Sequence, residues 1–304
     1  MMVMKNGTQR GVVYRALRAA FRVIPDPLRT TLRDFNHRLT TGDFKRTLRL
    51  KADSYLGKYC CSVCERRVRL FLPIDPAHTE DLRKYGWKYR ADEAETFNPE
   101  SYLCPHCGAF DRDRLCALYL SDYFRAATSN ECVEIVDIAP SPPLSRFIRK
   151  LIANSRHSFS YVTADLFRED VDDKVDIMDM KSYRDNSVDF FICSHVLEHV
   201  EDDRKALGEL YRMLKRGGRG ILIVPIILSI DEIDEDPSVS DPAERWRRFG
   251  QFDHVRLHSK QGFLSRTQQA GFTIHEHGAE HFGKDTFREH GITEQSVLYI
   301  VEKA

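Results

Sequence analysis

From about residue 130 the chain alternates short apolar runs with stretches whose apolar residues recur every three or four positions. Residues 133–138, 159–163, 175–178, 188–193 and 221–228 read as strands, and 272–275 and 297–301 supply two more. Leu144, Phe147, Ile148, Leu151 and Ile152 mark one helix face between them. Leu207, Leu210, Tyr211 and Leu214 mark another, capped by Asp202 and closing at Gly217-Gly218. This alternation predicts an α/β fold, a mostly parallel sheet of seven strands with both faces covered. In such sheets ligands bind beyond the carboxyl ends of the strands, where the strand order reverses. Asp137, Asp165, Asp176 and the run Ser194-His195-Val196-Leu197-Glu198-His199 fall at those ends. An acid closing a second strand suits a ribose diol, because a carboxylate accepts two hydroxyl hydrogen bonds.

Composition narrows the class. The 304 residues are 42% hydrophobic and 30% charged, ordinary for a globular chain and unlike disordered or fibrous ones. The longest apolar run, 221–228, is far short of the ~20 residues a membrane span needs. No apolar segment with a cleavage site opens the sequence, so a soluble, cytoplasmic protein is expected. Net charge is zero, but residues 1–51 hold 12 Lys/Arg against 3 Asp/Glu. Within them Val13, Leu17, Ala20, Phe21 and Ile24 form an apolar stripe opposite Arg15, Arg18 and Arg22, ended by Pro25 and Pro27. Such a helix packs its stripe on the rest of the protein, contacts phosphates, or lies peripherally on the inner membrane surface.

Cys61-Ser-Val-Cys64 and Cys104-Pro-His-Cys107-Gly108 form two knuckles separated by 39 residues. Two residues between thiolates let both sulfurs turn onto one ion, and two knuckles make a closed four-sulfur site suited to structural Zn²⁺. Cys60 and His106 are the alternative ligands, and a redox pair is the alternative chemistry. Cys116 is expected to pack on a helix over 112–124, and Cys132 and Cys193 inside strands. Arg66, Arg67, Arg69, Tyr85, Trp87, Lys88, Tyr89 and Arg90 lie between the knuckles. Interleaved in this way they suit nucleic acid, or serve as the core of a small domain.

The segment DNSVDFFICSHVLEHVEDDRKALGELYRMLKRGG with the following ILIVP, at 185–225, resembles class I S-adenosylmethionine-dependent methyltransferases. RRFGQFDHVRLHSKQGFLSRTQQAGF, at 247–272, resembles a type 11-like subgroup that often carries a Cys-x-x-Cys ribbon ahead of the catalytic domain. The resemblance implies a Rossmann-like methyltransferase sheet over 129–304, preceded by a zinc-ribbon-like domain at 51–128 and a basic helical segment at 1–50. It also implies S-adenosyl-L-methionine as cofactor. Its first-strand loop falls on Asp137, Ala139 and Pro140, where most of the family has a glycine-rich turn. Asp165 matches the acid that holds the ribose, Asp176 the acid that accepts from the adenine amino group, and Ile177 and Met178 the residues flanking the ring. Ser194 and His195 follow the fourth strand, where cofactor and acceptor meet.

A sulfonium methyl is already activated, so the protein must align the acceptor and exclude water. For a hydroxyl acceptor a general base helps, and His195 and His254 are the candidates, with Asp253 orienting His254. His199 is read as bonding backbone on its turn, and Arg256 as an anchor for an anionic acceptor. The acidic stretch 231–244, seven acids in 14 residues, is read as a lid or insertion over the substrate cleft that would repel a polyanion, or as a solvated loop. The expected reaction is methyl transfer to a hydroxyl, or less readily a nitrogen, of a small molecule or glycan. The rivals are an RNA methyltransferase gripping its substrate through the ribbon and basic segment, and a non-catalytic scaffold.

Overall fold

The computed structural model describes residues 57–126 and 131–304; the basic helix expected within 1–50 lies outside the described residues. The first knuckle hangs from a short hairpin, β1 (Tyr59–Cys60) and β2 (Arg67–Val68). In the segment between the knuckles, α1 (Pro76–Lys84) begins where Asp75 accepts from the Ala77 N–H and ends on Arg83 and Lys84. The second knuckle leads directly into α2 (Asp111–Ala126), on which Cys116 is buried as expected.

Then comes the alternating half: β3 (Val133–Ile138), α3 (Pro142–Ala153), β4 (Phe159–Asp165), β5 (Asp173–Lys174), β6 (Val188–Ser194), α4 (Asp203–Met213) and β7 (Leu214–Ile223). A small ribbon, β8 (Asp234–Glu235) with β9 (Arg256–Leu257), brackets α5 (Pro242–Phe249). The chain closes through α6 (Lys260–Gln269), β10 (Thr273–His277), α7 (Ala279–Phe282), α8 (Lys284–Glu289) and β11 (Leu298–Glu302). The seven-stranded sheet runs β5-β4-β3-β6-β7-β11-β10. Its neighbours are parallel except at β11, which is antiparallel to both β7 and β10. The expected α/β, Rossmann-like, mostly parallel sheet is present.

Strand periodicity divides the core between the two faces. Along β6, Phe190 and Ile192 join Leu115, Leu120, Phe147 and Ile148 of α2 and α3. Phe191 and Cys193 face the other way, toward Leu207 and Leu210 of α4 and Phe263 of α6. Each such side chain contributes about 1.5–3 kcal/mol by leaving water. The first cluster also takes in Cys61, Val63, Val68, Phe71 and Cys104, so the knuckles share the sheet's core. The described residues accordingly belong to one compact unit.

Five expectations shift. The third strand shortens to Asp173–Lys174, and Val175, Ile177 and Met180 pack as a buried turn beyond it. The helix expected to close at Gly217-Gly218 ends at Met213, because Gly217 donates to the Lys303 carbonyl (2.6 Å) and Gly218 accepts from the Lys303 N–H. Those bonds tie the glycines into the sheet, and the strand expected over 221–228 stops at Ile223. Cys132 is exposed, one residue before β3 begins. The acidic stretch is no lid: Arg248 pairs with Asp234 and Asp236, and Glu235 with Arg256 and Arg266. Asp241 and Glu244 serve α5, and none of the seven acids lines the cavity described below.

Candidate functional site

The sheet order reverses between β3 and β6, and the two loops leaving these strands bound a crevice at their carboxyl ends. Both loops open with a left-handed, non-glycine residue: Ala139 at φ 52° and His195 at φ 57°. Each is held there by a bond from its own N–H to the next strand, Ala139 to the Ala164 carbonyl and His195 to that of Ile223, both 2.8 Å. For an L-residue this geometry costs about 1–2 kcal/mol, and such outliers gather at functional sites. Ala139 thus makes a left-handed turn, a conformation that glycine adopts without strain.

Around the β3 end, Asp137 is fully buried and points away from the crevice. Tyr161 donates to its Oδ2 at 2.5 Å, so its part is to support the loop from beneath. Ser141 ties the same loop to α2 through Asp113 (2.9 Å), and Pro140 is buried with its carbonyl on Arg168. Asp165 accepts the Phe167 and Arg168 N–H groups on Oδ1, leaving Oδ2 available for a hydroxyl. Leu166 and Phe167, exposed beside it, offer apolar cover for a nucleoside. Asp176 accepts from the Met178 N–H (2.8 Å). Met178 is half-buried, but Ile177 is only 5% exposed and packs in the core, which takes its side chain out of the ring-flanking place expected for it. Ser194, half-buried, ends β6. These groups fit a nucleoside: a backbone loop with no side chain in the way, a carboxylate oxygen free for a diol, and adjacent apolar surface.

Burial pushes the Asp137 carboxyl up to about 7, although the Tyr161 hydroxyl acts against the shift. In the unfolded chain this proton leaves near 3.8, so stability present below that pH is lost progressively as pH rises to about 7. Asp137→Asn keeps an acceptor for Tyr161 without the charge. Relative to wild type it is expected to gain about 4 kcal/mol between pH 4 and pH 8, read by urea melts at both pH values. A constant difference between the two proteins would refute the buried-acid assignment.

On the β6 side a cavity of about 740 Å³ opens. The segment between the knuckles forms one wall with Ile74, Leu82, Trp87, Phe97 and Tyr102, and Pro225, Ile226, Ile227 and Leu257 form the opposite one. Trp87 meets Tyr89 edge-on at 5.0 Å, and Tyr85 stacks on Trp246 at 5.8 Å, so the aromatics considered for nucleic acid are engaged within the fold. Gly250 lies beneath Trp87, where a Cβ would stand 3.1 Å from the indole.

His195, Glu198, His199 and His254 make the polar end of the cavity, with Arg112 nearby. Glu198 is wholly buried, and neither of its oxygens receives an aligned hydrogen bond. His195 Nδ1 lies 3.2 Å and His199 Nε2 3.8 Å from Glu198 Oε1. Burial pushes His254 down to about 4 and also lowers His195, so both rings are neutral at physiological pH. Burial resists ionisation of Glu198, but the His195 ring beside it and the nearby His199 and His254 rings hold its carboxyl well below the usual range. The His254 ring is buried and a single proton satisfies its one polar partner, so it is neutral. A Glu198 carboxylate is then without a protein cation.

Three expected roles move. Asp253 does not orient His254: its Oδ2 is 3.5 Å from His199 Nδ1, and Gln251 donates to its Oδ1. His254 Nδ1 is instead 3.1 Å from the Phe249 carbonyl, which, being an acceptor, requires the proton on Nδ1. His199, expected to bond backbone, faces the cavity. Arg256 is buried and does not line the cavity, so it is not placed to anchor an anionic substrate there. It donates to the carbonyls of Leu197, Val200 (2.6 Å) and Glu201 (3.0 Å), clamping the turn that carries Glu198 and His199. Glu198 went unassigned in the sequence although its place between two histidines was visible there; Arg112 carried no signal.

The four paired cysteines come together: Cys61 and Cys107 sulfurs are 3.7 Å apart, Cys64 and Cys104 3.9 Å. A tetrahedral ion with ~2.3 Å bonds sets its sulfurs about 3.8 Å apart. Each knuckle turns back through a left-handed residue, Glu65 (φ 59°) or Gly108 (φ 76°), whose N–H bonds the first cysteine's carbonyl. Neither Cys60 nor His106 joins this cluster. The donor set therefore fits zinc.

Residues 120–222, from α2 to β7, match a family described as a methyltransferase domain. The fold is thus the Rossmann-like methyltransferase fold. No curated protein matches the chain. Among solved structures, the YcgJ protein of Bacillus subtilis is similar at 14% identity over 60% of this chain and 97% of its own, with TM-score 0.37. An S-adenosylmethionine-dependent methyltransferase of Mesorhizobium loti is 14% identical over 60% of this chain and 96% of its own, at TM-score 0.36. The citrinin polyketide synthase CMeT domain is 12% identical over 67% and 55%, at TM-score 0.44. No helix among the described residues is long and apolar enough to cross a membrane.

Proposed function

We propose that the chain is an S-adenosylmethionine-dependent methyltransferase acting on a hydroxyl of a small molecule or glycan, with structural zinc at the four cysteines. The observation that carries this reading is that left-handed Ala139 and His195 open the loops at the carboxyl ends of β3 and β6, where the strand order reverses, and that His195 also lines the cavity beside them. The cofactor supplies an activated methyl when bound. Ala139 and Pro140 present backbone to its amino-acid end, Asp165 a free carboxylate oxygen to its ribose, and Asp176 and Met178 their edges to its base. His195, neutral and a quarter exposed, stands where an acceptor proton must go. The aromatic and aliphatic cavity walls exclude water and suit a sugar ring or another compact acceptor. A glycan is favoured over RNA because Tyr85 is stacked on Trp246, while Trp87, braced edge-on by Tyr89, lines the cavity, where an aromatic wall suits a sugar ring.

Methyl transfer from S-adenosylmethionine, assayed against mono- and oligosaccharides and against total RNA, tests the acceptor class. Transfer to a saccharide is expected, and transfer to RNA alone would overturn it. With an accepted substrate, His195→Ala is expected to lower kcat by about 10²–10⁴ while cofactor affinity stays within a few-fold. Unchanged kcat would remove His195 from the reaction.

A further inference from the structure

We infer that Glu198, His199 and His254 form a second metal site, for a divalent cation such as Zn²⁺, at the polar end of the cavity. The inference rests on the methyltransferase reading for its purpose and on the geometry alone for its existence. One ligand atom from each of the three residues lies within 4.8 Å of the others. Around an ion with bonds of 2.0–2.2 Å the atoms would be about 3–3.5 Å apart, so a modest turn of His199, a third exposed, closes the set.

Three independent features point to a cation rather than to packing. First, Glu198 is completely buried and neither of its oxygens receives an aligned hydrogen bond; the nearest ring nitrogen, His195 Nδ1, stands 3.2 Å from Oε1, and Oε2 has no partner, a costly state for a carboxylate. Second, the outward nitrogen of each histidine is already engaged in the manner of a metal ligand. His254 gives its Nδ1 proton to the Phe249 carbonyl, and His199 Nδ1 faces Asp253, itself fixed by Gln251. A ring anchored at Nδ1 through an outer oxygen keeps its Nε2 lone pair for an ion. Third, Arg256 fixes the backbone of the Glu198–His199 turn by three carbonyl bonds without neutralising Glu198, so the donors are preset and their charge is left unmatched.

Two imidazoles and one carboxylate leave coordination positions open, unlike the closed four-sulfur site. Those positions face the cavity, where an acceptor hydroxyl would bind. An ion there lowers the hydroxyl's pKa. The hydroxyl's proton would pass to the His195 ring, the oxygen pair would form the bond to the methyl carbon, and the carbon–sulfur pair would return to sulfur. The products are a methyl ether, a thioether and an imidazolium, with no external electrons required. The substrate class this implies is a hydroxyl compound with a second oxygen near enough to share the ion.

The test is zinc content at saturation, measured on full-length protein after removal of free metal, for wild type, His199→Ala and His254→Ala. Wild type is expected to hold one ion per chain more than either variant. Calorimetric titration with Zn²⁺ should show the variants' affinity for that ion weakened at least ~10–100-fold. Equal content and affinity in all three proteins would overturn the site. Should a variant fail to fold, a wild-type crystal soaked in zinc chloride decides: an anomalous peak among Glu198, His199 and His254 is expected, and its absence overturns the site. S-adenosylmethionine affinity of the wild type, taken on the same samples, separates the two ideas. Cofactor bound without the extra ion removes the metal site alone, whereas the extra ion without cofactor removes the methyltransferase reading alone.

Discussion

Cys104→Ser is expected to unfold the chain rather than loosen one loop. Cys104 is completely buried, its sulfur sits 3.9 Å from that of Cys64, and it belongs to the core cluster that includes Phe190 and Ile221 of the sheet. The four sulfurs crowd one another, which drives the Cys61 thiol well above its usual range and makes a shared cation the way to hold them ionised. A structural zinc contributes about 10 kcal/mol or more, comparable with the whole stability of an ordinary domain. Its loss travels further because the knuckles are bolted on. The Cys107 carbonyl accepts from Arg146 of α3, and Arg114 clamps the Ala109, Gly291 and His290 carbonyls together. Circular dichroism of the variant should show loss of the native melt, and a strong chelator should lower the wild-type midpoint. A Cys104→Ser protein that melts like wild type without zinc would show the cysteines to be ordinary core residues.

Arg256→Met carries the second large effect. It leaves the Leu197, Val200 and Glu201 carbonyls without their donor and takes one cation from the pocket shared by Asp203, Glu235 and Arg266. Breaking a buried ionic cluster from one side costs about 3–5 kcal/mol, or a midpoint lowered by about 10 °C in a unit of this size. Arg256→Lys should recover little, since an ammonium cannot span three carbonyls as a planar fork does. Because the clamp sets the turn bearing Glu198 and His199, methyl transfer should fall in Arg256→Lys by more than its stability loss explains. A Lys variant with wild-type melting and turnover would mean the turn holds itself.

The sheet was legible because its strands are dense, bounded apolar runs; β6 could be read from VDFFICS alone. Its ends were not. The Gly217-Gly218 pair looks like a helix stop, and what draws it into β7 is Lys303, remote in sequence. The same limit governed the site. Residues at strand ends could be named from position, but their partners could not. Asp253 adjoins His254 in sequence and serves His199 in space, while Arg256 turns inward because carbonyls at 197–201 need it. The acids of 231–244 looked free because Arg248, Arg256 and Arg266 lie outside their segment. The four cysteines were the opposite case, since their spacing alone fixes how the sulfurs can meet.

Diffraction from a crystal soaked in S-adenosylmethionine, paired with calorimetry in solution, decides whether the β3–β6 crevice is a cofactor site. The nucleoside is expected between Ala139 and His195, its ribose on Asp165 Oδ2 and its base beside Asp176 and Met178, with Asp165→Ala weakening binding at least tenfold. An empty crevice, together with a Kd weaker than about 1 mM, would contradict it.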